Sequence, residues 1–576
     1  MSKPTNKLYH PQPIENFKQL VERYSLYHDK TAFCYKEDPK STSVISITYR
    51  RFQQDIYSLS TSLLNLGLEG KRVAIIAPNR YEWCVSYLAI TIANMVVVPL
   101  DKALPENEIK SLIIRSKAQA VIFDKRYLPT FESLKQEQNS NLQTYVCMDF
   151  TEEQEGILSY SELVQKGTRK LSIGDTKLEN VVLDSNKMSI MLFTSGTTSI
   201  SKAVALSQAN ICANIYAIGC VAHVTSSDTF LSFLPLHHTF ESTTTFLYGT
   251  YCGITVAFCD GLRYIVTNLK EYKVTGLVCV PLMLEAMYKK IGKAIEEQGK
   301  TTLVSMMKKV CLTLLKIGID IRRKVFEDVI KQLGGHLRVI VYGAAPMDKN
   351  TIEGLCAFGI NMLQGYGLTE TSPVVAAEND KFKKPGSCGF AMPNVQLEID
   401  QPNEQGIGEI KVKGPSIMLG YCDNPEATKE VLKDGWFYTG DLGYRDEEGY
   451  LFITGRKKDV IVLKNGKNIY PGELEILISK LPFVTENMVF GKPTLEGDLK
   501  LCAKIVYQPE MMKNTFPDKT IEEYHSIIWN FIKEINKTMP AYKHIREIIV
   551  TEEPMIKTTT QKIKRQEELK KLLGTD

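Results

Sequence analysis

Five short segments carry residue types able to handle phosphates, a nucleoside and a carboxylate. In residues 192–206 two apolar runs flank Thr194, Ser195, Gly196, Thr197 and Thr198, and Lys202 follows. A polyphosphate needs several hydroxyl and backbone N–H donors in a small concavity, glycine keeps side chains out of the way, and a lysine adds a point charge. The spacing is not that of a Walker loop, and a polar hairpin turn fits the same composition. Farther on, Gly343, Ala344, Ala345 and Pro346 end an apolar run, and Gly365, Tyr366, Gly367, Thr369 and Glu370 follow. Glycines at a strand end let a planar base slide against backbone, Tyr366 can stack on it, and Glu370 can hold Mg2+ through oxygen. Each is otherwise a turn, with Glu370 a buried glutamate paired to a neighbouring donor. Asp441, at the end of residues 436–441, can accept both hydroxyls of a ribose or cap the following turn. Arg456, Lys457 and Lys458 beside Gly455 form either a cation site or a solvated face. In residues 557–565 the lysines are solubilisers, unless one sits on a mobile unit and neutralises the charge that builds as a carboxylate meets an α-phosphate.

Layered α and β elements must position these segments. Short β-branched runs at 73–77, 120–123, 274–280 and 337–342 alternate with helical patterns, one starting near Tyr81. That alternation predicts an α/β fold with largely parallel sheets. Residues 85–100, interrupted by Ser86, Thr91, Asn94 and Pro99, read as a buried helix running into a strand. They fall short of the roughly 20 apolar residues of a membrane span. Residues 283–332, rich in Lys, Leu, Met and Ile, are an inserted helical element or ordinary surface helices. Beyond Tyr450, two strand-like runs separated by Asn465 and Gly466 predict a hairpin. A strand at 501–507 and a helix from Ile521, where Thr520 and Glu523 have capping-box spacing, complete a small unit. The boundary falls near Arg456–Asp459, giving domains 1–456 and 457–576.

A chain of 576 residues exceeds the roughly 250 to 300 that one core serves, so two or more domains are expected. A net charge of +4 is too small to argue for nucleic acid. The 13 cysteines are scattered singly, without a CxxC pair or a His/Cys cluster at metal-ligand spacing. A reduced cytoplasm is the simplest reading, and the first residues lack the apolar core of a signal peptide.

In this order, the five segments resemble those of the adenylate-forming superfamily of acyl-CoA synthetases, luciferases and peptide-synthetase adenylation domains. The resemblance runs from about residue 47 to Arg565. It implies a large N-terminal domain of layered α/β subdomains plus a small mobile C-terminal α+β domain. It also implies an ATP phosphate loop at Thr194–Lys202, adenine contacts at Gly343–Pro346 and Gly365–Gly367, Thr369 and Glu370 on phosphate and Mg2+, and Asp441 and Arg456 on ribose. Lys562 matches the adenylation lysine, Lys458 the interdomain hinge, and His238 a position beside the substrate carboxylate; for His237 a core role is preferred. Ser199, Ser201, Ala203 and Gln561 depart from the usual family pattern. Residues 322–326 and 333–338, followed by Gly343–Pro346, look like the long-chain fatty acyl-CoA synthetase branch.

The implied reaction is ATP-dependent conversion of a carboxylic acid to acyl-AMP and then acyl-CoA, with ATP, Mg2+ and coenzyme A as cofactor or co-substrates. The rivals are a medium-chain or aryl acid-CoA ligase, an acyl-carrier-protein loading enzyme, and a non-catalytic relative that binds nucleotide or lipid. A cytoplasmic protein without a transmembrane segment is expected, with peripheral membrane contact left open.

Overall fold

The computed structural model describes residues 7–137, 139–194, 201–464, 467–494, 499–557 and 563–574. Its large N-terminal domain is built on two long sheets. In one, the strands Asn361–Gly367, Val339–Tyr342, Gly276–Cys279, Thr229–Ser232, Thr255–Phe258 and Thr31–Tyr35 run parallel, and antiparallel strands close both edges. In the other, Val96–Pro99, Arg72–Ile76, Ala120–Phe123 and Thr144–Cys147 are parallel neighbours. The hairpin Met188–Thr194 and Lys202–Ser207 extends this sheet beside Val96–Pro99.

Strand alternation divides the apolar residues between layers. Val73, Ile75 and Ile122 join a core shared with Phe33, Phe230 and Val256 of the other sheet. Their neighbours Ala74, Ile76, Val121 and Phe123 face a second core. Helices Tyr49–Asn65, Tyr81–Ile92 and Gln208–Val221 contribute to the shared core, which explains why Tyr81–Ile92 is buried almost all round. As the sequence predicts, this helix leads, through a left-handed Asn94, into the strand Val96–Pro99. The expected strands are present, trimmed at 274–280 and 337–342 to Gly276–Cys279 and Val339–Tyr342. Residues 274, 275, 337 and 338 lead into the strands, and Val280 caps the helix that follows the first of them.

The inserted segment forms helices Pro281–Glu297, Thr301–Lys316, Arg322–Val325 and Glu327–Gln332, and packs Ile291, Cys311 and Phe326 into a core with Leu277 and Ile340. Two readings change. Residues 364–367 are the end of a strand rather than a turn, and Asp441 sits inside the strand Trp436–Arg445, so it caps no turn. In both, ladder pairing overrides turn-forming composition.

Beyond Arg456 a smaller α+β domain has its own core, including Ile469, Leu474, Ile505, Ile528, Ile532 and Ile548. Ile461–Val462 and Asn468–Ile469 pair antiparallel; the turn predicted at Asn465 and Gly466 lies outside the described residues. The strand Leu499–Tyr507 pairs with Val484–Pro493 and Glu547–Thr551. Helix Ile521–Lys537 begins with the predicted capping box between Thr520 and Glu523.

Candidate active site

Antiparallel pairing sets Asp441 directly across from Arg456. The Arg456 Nε lies 2.8 Å from Asp441 Oδ1, and the Tyr366 hydroxyl donates to Oδ2 at 2.8 Å. Both oxygens of a buried carboxylate are thereby oriented. Burial, and then the adjacent carboxylate, push the Tyr366 phenol well above its ordinary value, which keeps it a donor.

Tyr366 comes from a strand whose parallel neighbour ends at Gly343. Register pairs Tyr342 with Gln364, so the two glycine-bearing segments lie side by side. A Cβ on Gly343 would stand 2.6 Å from the Gly365 carbonyl oxygen, and one on Gly367 would stand 1.8 Å from that of Pro373. Backbone approach therefore requires these glycines. Ala344 turns the chain in the left-handed region at φ +70°, and Ala345 and Pro346 continue out of the strand end.

Thr194 and Lys202 are register partners, and the Thr194 hydroxyl donates to the Lys202 carbonyl at 3.3 Å. Ser195, Gly196, Thr197 and Thr198 lie outside the described residues. The Lys202 ammonium stands 4.7 Å from the centre of the Tyr421 ring, and the Tyr421 hydroxyl donates to Glu370 Oε1 at 2.9 Å. Tyr421 reaches this position because Gly420–Tyr421 pairs with the edge of the same hairpin. Glu370, in the turn Thr369–Thr371, is partly exposed and already paired with a neighbouring donor. Ser201, at a position of family departure, takes two hydrogen bonds from Arg115, one on its carbonyl at 2.5 Å and one on its hydroxyl at 3.1 Å.

Lys458 follows in the turn Lys457–Asp459. Desolvation, and then repulsion from Arg456, lower its amine, with Lys202 adding to the effect, although part of the side chain meets solvent. The ribose-type and phosphate-type residues thus share one electrostatic neighbourhood: Arg456 feels Glu370, and Tyr421 feels Arg456.

His238 precedes the short helical segment Thr239–Glu241, which continues into a π-helix, Ser242–Leu247. Such wide turns recur at functional sites. Asn79 fixes the approach, donating to the Leu234 carbonyl at 2.7 Å and accepting from the Leu236 N–H at 3.2 Å. The His237 and His238 rings are 3.9 Å apart, and His237 is buried with Nε2 3.5 Å from Asp101 Oδ2. Phe240 would lie 3.8 Å from a Cβ on Gly343, so the histidine segment abuts the glycine turn. Glu241 is fully buried and accepts from the Thr245 hydroxyl at 3.0 Å; burial pushes its carboxyl up to about 8.

Lys562 and Gln561 lie outside the described residues. Their flanks are anchored: Lys557 and Ile563 form an antiparallel bridge, and the Lys557 ammonium is 2.5 Å from Glu486. Buried Glu568 pairs with buried Lys504 and accepts from the Ile556 N–H at 3.0 Å.

Sequence reading missed Tyr421, Arg115, Asn79, Asp101 and Glu241. The first four belong to elements remote in sequence from the groups they touch, whereas Glu241 bonds locally to Thr245 and no motif marks its burial.

A family model described as "AMP-binding enzyme" matches residues 20–422, and one described as "AMP-binding enzyme C-terminal domain" matches residues 458–573. The chain belongs to the AMP-binding enzyme family, within the adenylate-forming superfamily that its motifs resemble. Its relatives include a chloroplastic long-chain-fatty-acid–[acyl-carrier-protein] ligase of Arabidopsis thaliana, 27% identical over 94% of this chain and 83% of the relative. The peroxisomal long chain acyl-CoA synthetase 7 of Arabidopsis thaliana is 28% identical over 89% and 75% of the two chains. Long-chain-fatty-acid–CoA ligase 6 of Mus musculus is 29% identical over 78% and 67%. Among solved structures, ATP-bound MatB of Rhodopseudomonas palustris matches with a TM-score of 0.75 at 22% identity, covering 97% of this chain and 99% of that one. The o-succinylbenzoate coenzyme A synthetase of Bacillus subtilis, with ATP and magnesium, gives 0.72 at 21%, with coverage of 97% and 99%. At these identities the likeness shows the fold. Among the described residues no helix is long and apolar enough to cross a membrane.

Proposed function

We propose that this enzyme activates a long-chain fatty acid with ATP, forming acyl-AMP and pyrophosphate, and passes the acyl group to coenzyme A with release of AMP. The observation that carries the reading is the neighbourhood in which Asp441, Arg456 and Tyr366 meet Lys202, Tyr421 and Glu370. A nucleoside polyphosphate calls for a fixed carboxylate at one end and cations at the other. The long-chain assignment is supported by the relatives' names.

A carboxylate is a poor electrophile, because its charge is delocalised and oxide is a bad leaving group. Attack by a carboxylate oxygen on the α-phosphorus of ATP, with pyrophosphate leaving, yields a mixed anhydride whose leaving group is AMP. Asp441 orients the ribose, Gly343–Pro346 and Gly365–Gly367 receive the adenine, and Lys202 with the 194–198 loop offsets the phosphate charge. Glu370 and Thr369 are hard oxygen donors that fit Mg2+, which when bound neutralises phosphate charge. His238 lies beside the acid, and Lys562 neutralises the anions as they join. In the second half-reaction the coenzyme A thiolate attacks the acyl carbon and AMP leaves. With the domains divided at 456/457, Lys458 serves as the hinge about which the small domain turns between the two steps.

Lys562→Ala separates the halves: adenylation is lost, while thioester formation from supplied acyl-AMP stays largely intact. Equal loss of both contradicts this role. A second acceptor has specific support, since one relative is an acyl-carrier-protein ligase; comparing coenzyme A with carrier protein in the thioester assay decides between them. All 13 cysteines are free, which favours a reducing compartment such as the cytoplasm.

A further inference from the structure

Half of the exposed large apolar side chains among the described residues, nine of eighteen, fall between Leu262 and Ile319. Within this stretch, helix Thr301–Lys316 has two apolar faces. Val304, Met307 and Cys311 pack into the core under the inserted segment. Leu303, Met306, Val310 and Ile317, at helical spacing on the other side, are 48%, 58%, 52% and 71% exposed. Residues 301–319 contain no acidic side chain, and exposed Lys300, Lys309 and Lys316 flank the apolar stripe. Residues 281–319 hold seven lysines against three glutamates, an excess equal to the +4 of the entire chain. The remainder of the molecule is neutral, and its positive charge is gathered where its apolar surface is gathered.

We propose that this helix docks the enzyme on an anionic lipid bilayer, lying in the interface with the stripe seated at the acyl boundary and the lysines among the headgroups. No described helix is long and apolar enough to cross, so the contact is peripheral. Charge selects the occupant: a second copy would set lysines against lysines, whereas an anionic surface attracts them over about a Debye length. The surface stands independently of the substrate. Its use rests on the long-chain reading, because such an acid partitions into bilayers and a docked enzyme meets it there.

Sedimentation of the full chain with phosphatidylcholine vesicles, with and without phosphatidylglycerol, tests the proposal. The wild type is expected to bind the anionic vesicles and not the neutral ones. Lys309→Glu with Lys316→Glu lowers that affinity about tenfold or more, and Met306→Ser with Val310→Ser weakens it comparably. These positions are exposed, so both variants keep acid-dependent pyrophosphate release from a short, water-soluble acid. The proposal is overturned if the wild type ignores anionic vesicles, or if both double variants bind as it does. It is also overturned if the apolar double variant dissolves a wild-type dimer, or if an acidic carrier protein but no vesicle is retained through these residues. Loss of acid-dependent pyrophosphate release with vesicle binding intact refutes the acid-activation reading alone.

Discussion

Asp441 has its charge held on both oxygens, by Arg456 and by Tyr366, before any nucleotide arrives. Preorganisation of this kind suits the carboxylate to the proposed task of accepting ribose hydroxyls. Asp441→Asn keeps the shape and removes the charge. With hydrogen bonds to charged groups contributing about 1.5–3 kcal/mol, KM for ATP rises roughly 10- to 100-fold in acid-dependent pyrophosphate exchange. An unchanged KM contradicts ribose binding here. Asp441 and Arg456 were singled out in the sequence by the family resemblance, since taken alone one fits a turn cap and the other a solvated face. Their register across adjacent strands was not legible, and Tyr421 was invisible because its partners, Lys202 and Glu370, arrive from distant segments. Glu370 combines two readings, since it has the predicted neighbouring donor and remains partly open.

The short helical passage from Thr239 through the π-helix Ser242–Leu247 buries Glu241, three residues after His238. Its folded carboxyl sits at about 8, against an ordinary value of 4.5. Between those values the folded protein holds a proton that the unfolded chain has released, so stability falls as pH rises through the window. The slope approaches about 1.4 kcal/mol per pH unit at most. Glu241→Gln removes it: the variant gains on the wild type as pH rises from 4.5 toward 8, measured by denaturant unfolding at several pH values. Parallel profiles for the two proteins contradict the buried, protonated carboxyl. The parallel strands and the helical insert were readable from alternation and composition. The π-helix was not, because residues 242–247, one serine, three threonines, Phe246 and Leu247, have a composition found in many ordinary elements, and its wide turn follows from tertiary packing.

The small domain presents its C-terminal tail through a buried ion pair. Lys504 and Glu568 are almost fully buried, and Glu568 also receives the Ile556 N–H just before the segment that holds Lys562. Lys504→Met leaves a buried carboxylate without its cation, at a cost of about 3–5 kcal/mol. Unfolding then shows an early transition of the C-terminal unit, with adenylation reduced more than thioester formation; a single transition at the wild-type position contradicts this. Two domains were legible from length and from the change of pattern after Tyr450. The Lys504–Glu568 pair was not, because it joins a strand to the last helix across a long stretch of chain. The central claim is that dispersed segments assemble into one centre that activates an acid with ATP. Its most direct test is a chain-length panel of acids scored for AMP and pyrophosphate. Acid-dependent release that is greatest for long chains is predicted, and no acid-dependent release from any acid in the panel would contradict it.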